Sequence, residues 1–259
     1  MLEVLLLGVV LLEVLDLRIE VSGLAVRFGA VAALAGVDIA IAAGERRALI
    51  GPNGAGKSTL FNVIAGEQRP AAGRVRLDGA DVTVLPSWRR ARLGLGRTFQ
   101  RSTLFGGLTV AENLALSIRA RERSGWRFWP RRERALRAEV ADRLVAAGLE
   151  DLSGREAATL GHGRQRALEI ELALAAEPRA LLLDEPMAGL SGEERQAAVA
   201  RLRALPADVT LVIVEHDLDA VFAIADRVTV LDHGICIADG TAGEVRADPR
   251  VQEVYLGSG

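Results

Sequence analysis

Lysine is almost missing from this sequence. Thirty-one of its 32 basic residues are arginine, and the single lysine is Lys57. Cysteine is as scarce. Cys236 stands alone, so no intrachain disulfide can form, as suits a reducing cytoplasm. It reads as a small apolar strand residue. An excess of charge of one sign is lacking too. The 32 basic and 34 acidic residues leave a net charge of -2. That balance excludes binding to nucleic acid through bulk positive charge, and it excludes a highly charged disordered chain. Nor is there a long hydrophobic run, although mean hydropathy is +0.22. The N-terminal run, Val4 to Leu12, covers nine residues, about half of the ~20 that a spanning helix needs. With no Lys or Arg before it and no small-residue cleavage site after it, this run does not read as an export signal. Residues 1–16, in which Leu-Glu-Val-Leu occurs twice, are expected to be an apolar extension without chemistry.

What is present is apolar material, 50% of 259 residues, enough for one large domain and its core. Residues 17–21, 24–28 and 37–42 alternate between apolar and polar and are broken by glycines, as antiparallel strands are. Residues 47–50 form a further short strand that runs straight into a glycine-rich turn, and residues 57–65 read as a helix. The stretch from about 88 to 160 is helical in pattern, with a basic and aromatic patch at residues 127–132. Ala180 to Leu183 and Val209 to Val214 are continuous apolar runs of the kind buried in parallel sheets. Residues 228–232 and 235–238, joined through His233-Gly234, predict a hairpin, and a charged helical tail follows. Strands alternating with helices around a glycine loop mean an α/β sheet.

Residues 51–59 read Gly-Pro-Asn-Gly-Ala-Gly-Lys-Ser-Thr, a phosphate-binding loop between a strand and a helix. The turn of Gly51, Pro52, Asn53, Gly54, Ala55 and Gly56 would curl its backbone N–H groups, which only Pro52 lacks, around phosphate oxygens, at the positive end of the helix that Ser58 and Thr59 begin. Lys57 would reach the β- and γ-phosphates, and the Ser58 hydroxyl would hold Mg²⁺. Such a site needs a carboxylate at the end of a neighbouring buried strand, and Asp184 and Glu185 follow Leu181-Leu182-Leu183. Asp184 is expected to bind the metal and Glu185 to polarise an attacking water.

With these residues in place, the chain from about Leu17 to Gly257 resembles the ATP-binding subunit of an ABC transporter. Four further stretches match the family in order. Gln100, in Arg97-Thr98-Phe99-Gln100, resembles the glutamine that touches Mg²⁺ or water and couples to the membrane partner. Leu160-Gly161-His162-Gly163-Arg164-Gln165 resembles the signature motif, Ala188-Gly189-Leu190-Ser191 the D-loop, and His216 the switch histidine that contacts the γ-phosphate. Phe28 stands where the family stacks an aromatic ring on adenine. His162 and His233 read as structural.

The resemblance implies an ABC-type P-loop domain over residues 17–257, with a mixed sheet, an antiparallel β subdomain and a helical subdomain at about 88–160. It implies ATP and Mg²⁺ as ligands. It also implies a second cassette, identical or paralogous, whose phosphate loop faces Gly161, Gly163 and Gln165. Integral membrane permease subunits and, indirectly, a periplasmic solute-binding protein complete the partners, with no nucleic acid. The chain would then sit in the cytoplasm, peripheral on the inner face of the plasma membrane.

Two positions depart from the family. Gly161 stands in place of the usual serine, which removes a hydroxyl worth about 1 kcal/mol, and Ser191 stands in place of the D-loop aspartate. Residues 96–100, the insertion at 126–132, residues 214–217 and the ending at 255–257 resemble the branched-chain amino acid importer group. The alternatives are a urea or short-amide importer ATPase, a lipid-exporter ATPase, and a low-turnover regulatory cassette suggested by Gly161. A soluble P-loop kinase would have no use for the signature motif or the switch histidine.

Overall fold

The computed structural model describes residues 17–98, 104–121 and 130–256. Among the described residues ten strands form two sheets. In the first, β1 (Leu17–Phe28), β2 (Val31–Ala42), β4 (Ala72–Leu77) and β5 (Ala80–Asp81) lie in the order β2-β1-β4-β5, every pair antiparallel. The second contains β3 (Arg46–Ile50), β6 (Leu95–Arg97), β7 (Ala180–Asp184), β8 (Thr210–Val214), β9 (Arg227–Asp232) and β10 (Ile235–Thr241). Its order is β10-β9-β3-β8-β7-β6, parallel throughout except for the β9–β10 hairpin.

Both faces of the parallel strands are covered. Along β7, Leu181 and Leu183 pack with Ala48, Ile50, Leu211 and Ile213 on one side of the sheet. Leu182 packs on the other side with Leu49, Val212 and Val214, against the first sheet and the helix that follows β3. Period-two alternation with apolar residues on both faces gives the unbroken apolar runs seen in the sequence. That helix, α1 (Lys57–Ala65), buries Leu60, Phe61, Val63 and Ile64 between the two sheets. Helices α2 (Ser87–Arg92), α3 (Val110–Arg121), α4 (Pro130–Ala147) and α5 (His162–Ala175) come between β5 and β7. The last three enclose an apolar cluster of their own, with Leu114, Ile118, Leu144 and Leu168 buried. Helices α6 (Gly192–Arg203), α7 (Leu218–Ile224), α8 (Ala242–Ala247) and α9 (Pro249–Leu256) complete the chain. Among the described residues no helix is long and apolar enough to cross a membrane.

Several details differ from the sequence reading: β2 begins at Val31 instead of residue 37, and β4 and β5 are not anticipated there. Residues 17–28 make one strand instead of two, because Gly23 takes a left-handed conformation (φ 58°) and shifts the register with β2 between Val21 and Leu24 without ending the ladder. Residues 95–97 lie inside the stretch read as helical yet form an edge strand, Leu95 opposite Ala180. The N-terminal extension 1–16, Gln100, Gly257 and the aromatic part of the 127–132 patch lie outside the described residues.

Candidate active site

The phosphate loop leaves β3 at Ile50 and enters α1 at Lys57, so it closes the C-terminal edge of the parallel sheet. Glycine is required at both ends of the turn. Gly51 has φ 148°, and a side chain there would run into the Leu231 carbonyl. Gly56 has φ 103°, and a Cβ would come 2.6 Å from the Ala33 carbonyl. The turn is buttressed from outside by the β9–β10 hairpin, whose Gly234 N–H donates to the Ala55 carbonyl at 3.0 Å. Asn53, Gly54 and Ser58 are exposed, Pro52 and Thr59 half-buried, and Ala55 buried. Lys57 is 6% exposed. Its ammonium donates to the carbonyls of Gly51 (2.7 Å) and Pro52 (2.9 Å). Burial lowers the Lys57 pKa, while the Glu185 and Asp184 carboxylates oppose that shift. Phosphate loop and carboxylate pair therefore share one site.

Asp184 is buried at the end of β7, and its backbone pairs with Val214. Glu185 follows in a left-handed conformation, φ 47°, a strained state for a residue with a side chain. Its N–H is fixed to the Val214 carbonyl at 2.9 Å. The turn swings the carboxylate out of the sheet to meet His216, Nε2 to Oε1 at 2.9 Å, with both side chains about half exposed. His216 is held in its turn by Glu215. The buried Glu215 carboxylate accepts from Met187 N–H at 2.7 Å and from His216 N–H at 3.0 Å. Burial raises its pKa, against these backbone hydrogen bonds.

The signature residues begin α5. Gly161 is its N-cap, with ordinary extended dihedrals and open space where a side chain would be, so no local packing demands glycine there. Gly163 is different: a Cβ at that position would collide with the Glu194 carboxylate. Gln165 bonds the Ala157 carbonyl at 3.1 Å. It also lines a cavity of about 170 Å³ with His162, Arg166, Asp184 and Glu185. Arg166 was not singled out by sequence, and neither was Glu215. Ser191, in the D-loop, caps α6 in a reciprocal arrangement with Glu194. His162 packs against Gly189 and is exposed, and His233 is an exposed turn residue with φ 43°. Phe28 stands apart from all of these at the tip of β1, 56% exposed.

The ABC transporter family model matches residues 34–188, which span the phosphate loop, the signature residues and the carboxylate pair. The chain belongs to the ABC transporter ATP-binding family. A second model, of the branched-chain amino acid ATP-binding cassette transporters, matches residues 236–259. The high-affinity branched-chain amino acid transport ATP-binding protein BraF of Pseudomonas aeruginosa is 39% identical over 92% of this chain and 97% of its own length. LivG of Escherichia coli K12, of the same description, is 37% identical over the same shares. Among solved structures, the ADP conformation of the ATP-binding cassette MJ1267 aligns with a TM-score of 0.81 and 30% identity over 93% of this chain and 99% of that one. The cbiO1 subunit from Clostridium perfringens aligns at 0.77 and 28% over 94% and 97%. This ABC cassette is thus a nucleotide-binding, ATP-hydrolysing transport subunit.

Proposed function

We propose that this cassette energises import of branched-chain or closely related amino acids, working as one of a pair beneath a membrane permease fed by a periplasmic solute-binding protein. The observation that carries the substrate class is the match of residues 236–259 to the branched-chain group, the part of the chain in which that group has a model of its own. The groove between α2, β6 and α5, about 400 Å³ and walled by Trp88, Leu95, Leu172 and Pro178, ends at Thr98, just before the Gln100 segment. It is the surface we assign to the permease, which would hold the cassette peripherally at the inner face of the membrane.

In the hydrolytic site, Lys57 exchanges the carbonyls of Gly51 and Pro52 for the β- and γ-phosphate oxygens of ATP. Backbone N–H groups of residues 51–59 and the start of α1 supply the remaining positive field. Phe28, 56% exposed, offers its ring to adenine. Among the described residues no three His, Cys, Asp or Glu side chains converge to hold a metal. The Ser58 hydroxyl and the Asp184 carboxylate fit Mg²⁺ that arrives with the nucleotide, since such ions take few protein ligands beside phosphates. Bound there, the ion would offset charge on the phosphates. Glu185 accepts the proton of the attacking water, and His216, hydrogen-bonded to it, keeps the carboxylate aimed and reaches the γ-phosphate. Gly161, Gly163 and Gln165 present the start of α5 to the nucleotide of the second cassette.

Steady-state ATP hydrolysis by the purified chain and by Glu185→Gln tests the catalytic assignment. A general base contributes about 100-fold or more, so a loss of that size with retained ATP binding is expected. Hydrolysis insensitive to the substitution would remove Glu185 from the mechanism. Co-purification with a lipid exporter's membrane subunits would replace the importer reading.

A further inference from the structure

The turn that carries Glu185 is held by two buried charges on opposite sides. Glu215 takes the N–H groups of Met187 and His216. Arg166, 9% exposed and one residue after Gln165 on α5, takes the carbonyls. Its Nη2 donates to the Asp184 carbonyl at 2.6 Å and the Glu185 carbonyl at 3.1 Å, and its Nε to the Pro186 carbonyl at 3.4 Å. Nη1 bonds Glu169, itself buried, at 2.9 Å. One guanidinium thus grips three consecutive peptide groups around the residue with φ 47°. A planar fork spreads its donors over three nitrogens and so reaches all of these acceptors at once, whereas an ammonium offers its donors from a single point. A left-handed glutamate is a strained state that persists only where its surroundings over-determine it.

We propose that Arg166 is a positioning residue that fixes the backbone of Glu185, so that the helix presenting the signature residues to one nucleotide sets the aim of the general base at the other. This rests on Glu185 being the base. α5 is a rigid element of 14 residues, with the signature residues in its first turn and Arg166 in its second. Any shift of its N-terminal end therefore carries the guanidinium, and with it the three carbonyls.

The test compares Arg166→Lys and Arg166→Gln with the parent chain and with Glu185→Gln. The readouts are kcat, the KM and Kd for ATP, and the Hill coefficient for ATP. Misplacement of a catalytic group by about 1 Å costs up to about 100-fold, so Arg166→Lys is expected to lower kcat about tenfold or more. Kd for ATP should stay within about twofold, since nothing in the phosphate loop is touched, and the Hill coefficient should fall towards 1. Unchanged kcat, or kcat and Kd worsening together, would overturn the proposal. If the Arg166 variants do not fold, Glu169→Leu, which removes the acceptor of Nη1 but spares the carbonyl contacts, should lower kcat several-fold at constant Kd; an unaltered kcat there overturns it equally. Glu185→Gln keeps the outcomes separate. Full activity in that variant defeats the assignment of the base, whereas its inactivity beside a normal Arg166→Lys defeats only the positioning role.

Discussion

Lys57 is the residue on which charge, burial and the proposed binding of ATP meet. Its ammonium is buried among carbonyls, and burial pulls its pKa below 10.5. The charged form is thus disfavoured in the folded chain without nucleotide, and the resulting penalty disappears once pH passes the ordinary lysine value. Phosphate binding works the other way, because it requires the charged form. ATP affinity is therefore expected to weaken as pH rises through the lowered pKa, at a pH below 10.5, while the ligand-free chain gains stability over the same window. Fluorescence titration of ATP between pH 7 and 10 checks this, and a pH-independent Kd would refute it. Lys57→Arg keeps the charge but puts a planar group where a compact one must pass among backbone carbonyls. Hydrolysis should be abolished with an unchanged circular dichroism spectrum; retained turnover would show that charge alone suffices. The residues of the phosphate loop are legible in sequence because a glycine turn is a local pattern. Arg166 and Glu215 are not, because a charged residue on a helix or after a strand reads as solvated until the chain folds over it.

At the scale of elements, strand exits position the chemistry. β3 delivers the phosphate loop, β7 delivers Asp184 and Glu185, and β8 delivers Glu215 and His216, all at one edge of the sheet. The unbroken apolar runs of β7 and β8 announce that burial in the sequence. The three-residue β6 does not announce itself, since Leu95-Gly96-Arg97 is too short to show a period and is recruited by its pairing with β7. β1 is misread as two strands for the opposite reason: Gly23 marks a bulge in a continuous ladder, which resembles a turn in one dimension. α6 begins at Ser191 with a reciprocal cap, its side chain accepting from Glu194 N–H at 3.3 Å and Glu194 accepting from Ser191 N–H at 3.0 Å. The departure from aspartate at this position thus preserves the cap. Ser191→Ala should cost about 1 kcal/mol of stability, read from the denaturant midpoint. A loss below a few tenths would mean that the D-loop is held by other contacts.

Across the whole molecule, the shortage of lysine has a structural counterpart. Three buried arginines serve as forks. Arg47 joins Glu45, Asp239, Thr229 and the Ala40 carbonyl. Arg90, its pKa lowered to about 10 by burial, ties the Val63 and Ile64 carbonyls of α1 to the Leu85 and Thr83 carbonyls. Arg166 grips the Glu185 turn. Lysine is kept for the one place that needs a point charge. That this hydrolytic centre serves amino-acid import is tested by reconstitution in proteoliposomes with the permease subunits and the solute-binding protein of a branched-chain amino acid importer. ATP hydrolysis should rise severalfold when the binding protein is loaded with leucine, isoleucine or valine, and Glu185→Gln should eliminate the rise. Stimulation by urea, short amides or lipid, with none by branched-chain amino acids, would contradict it.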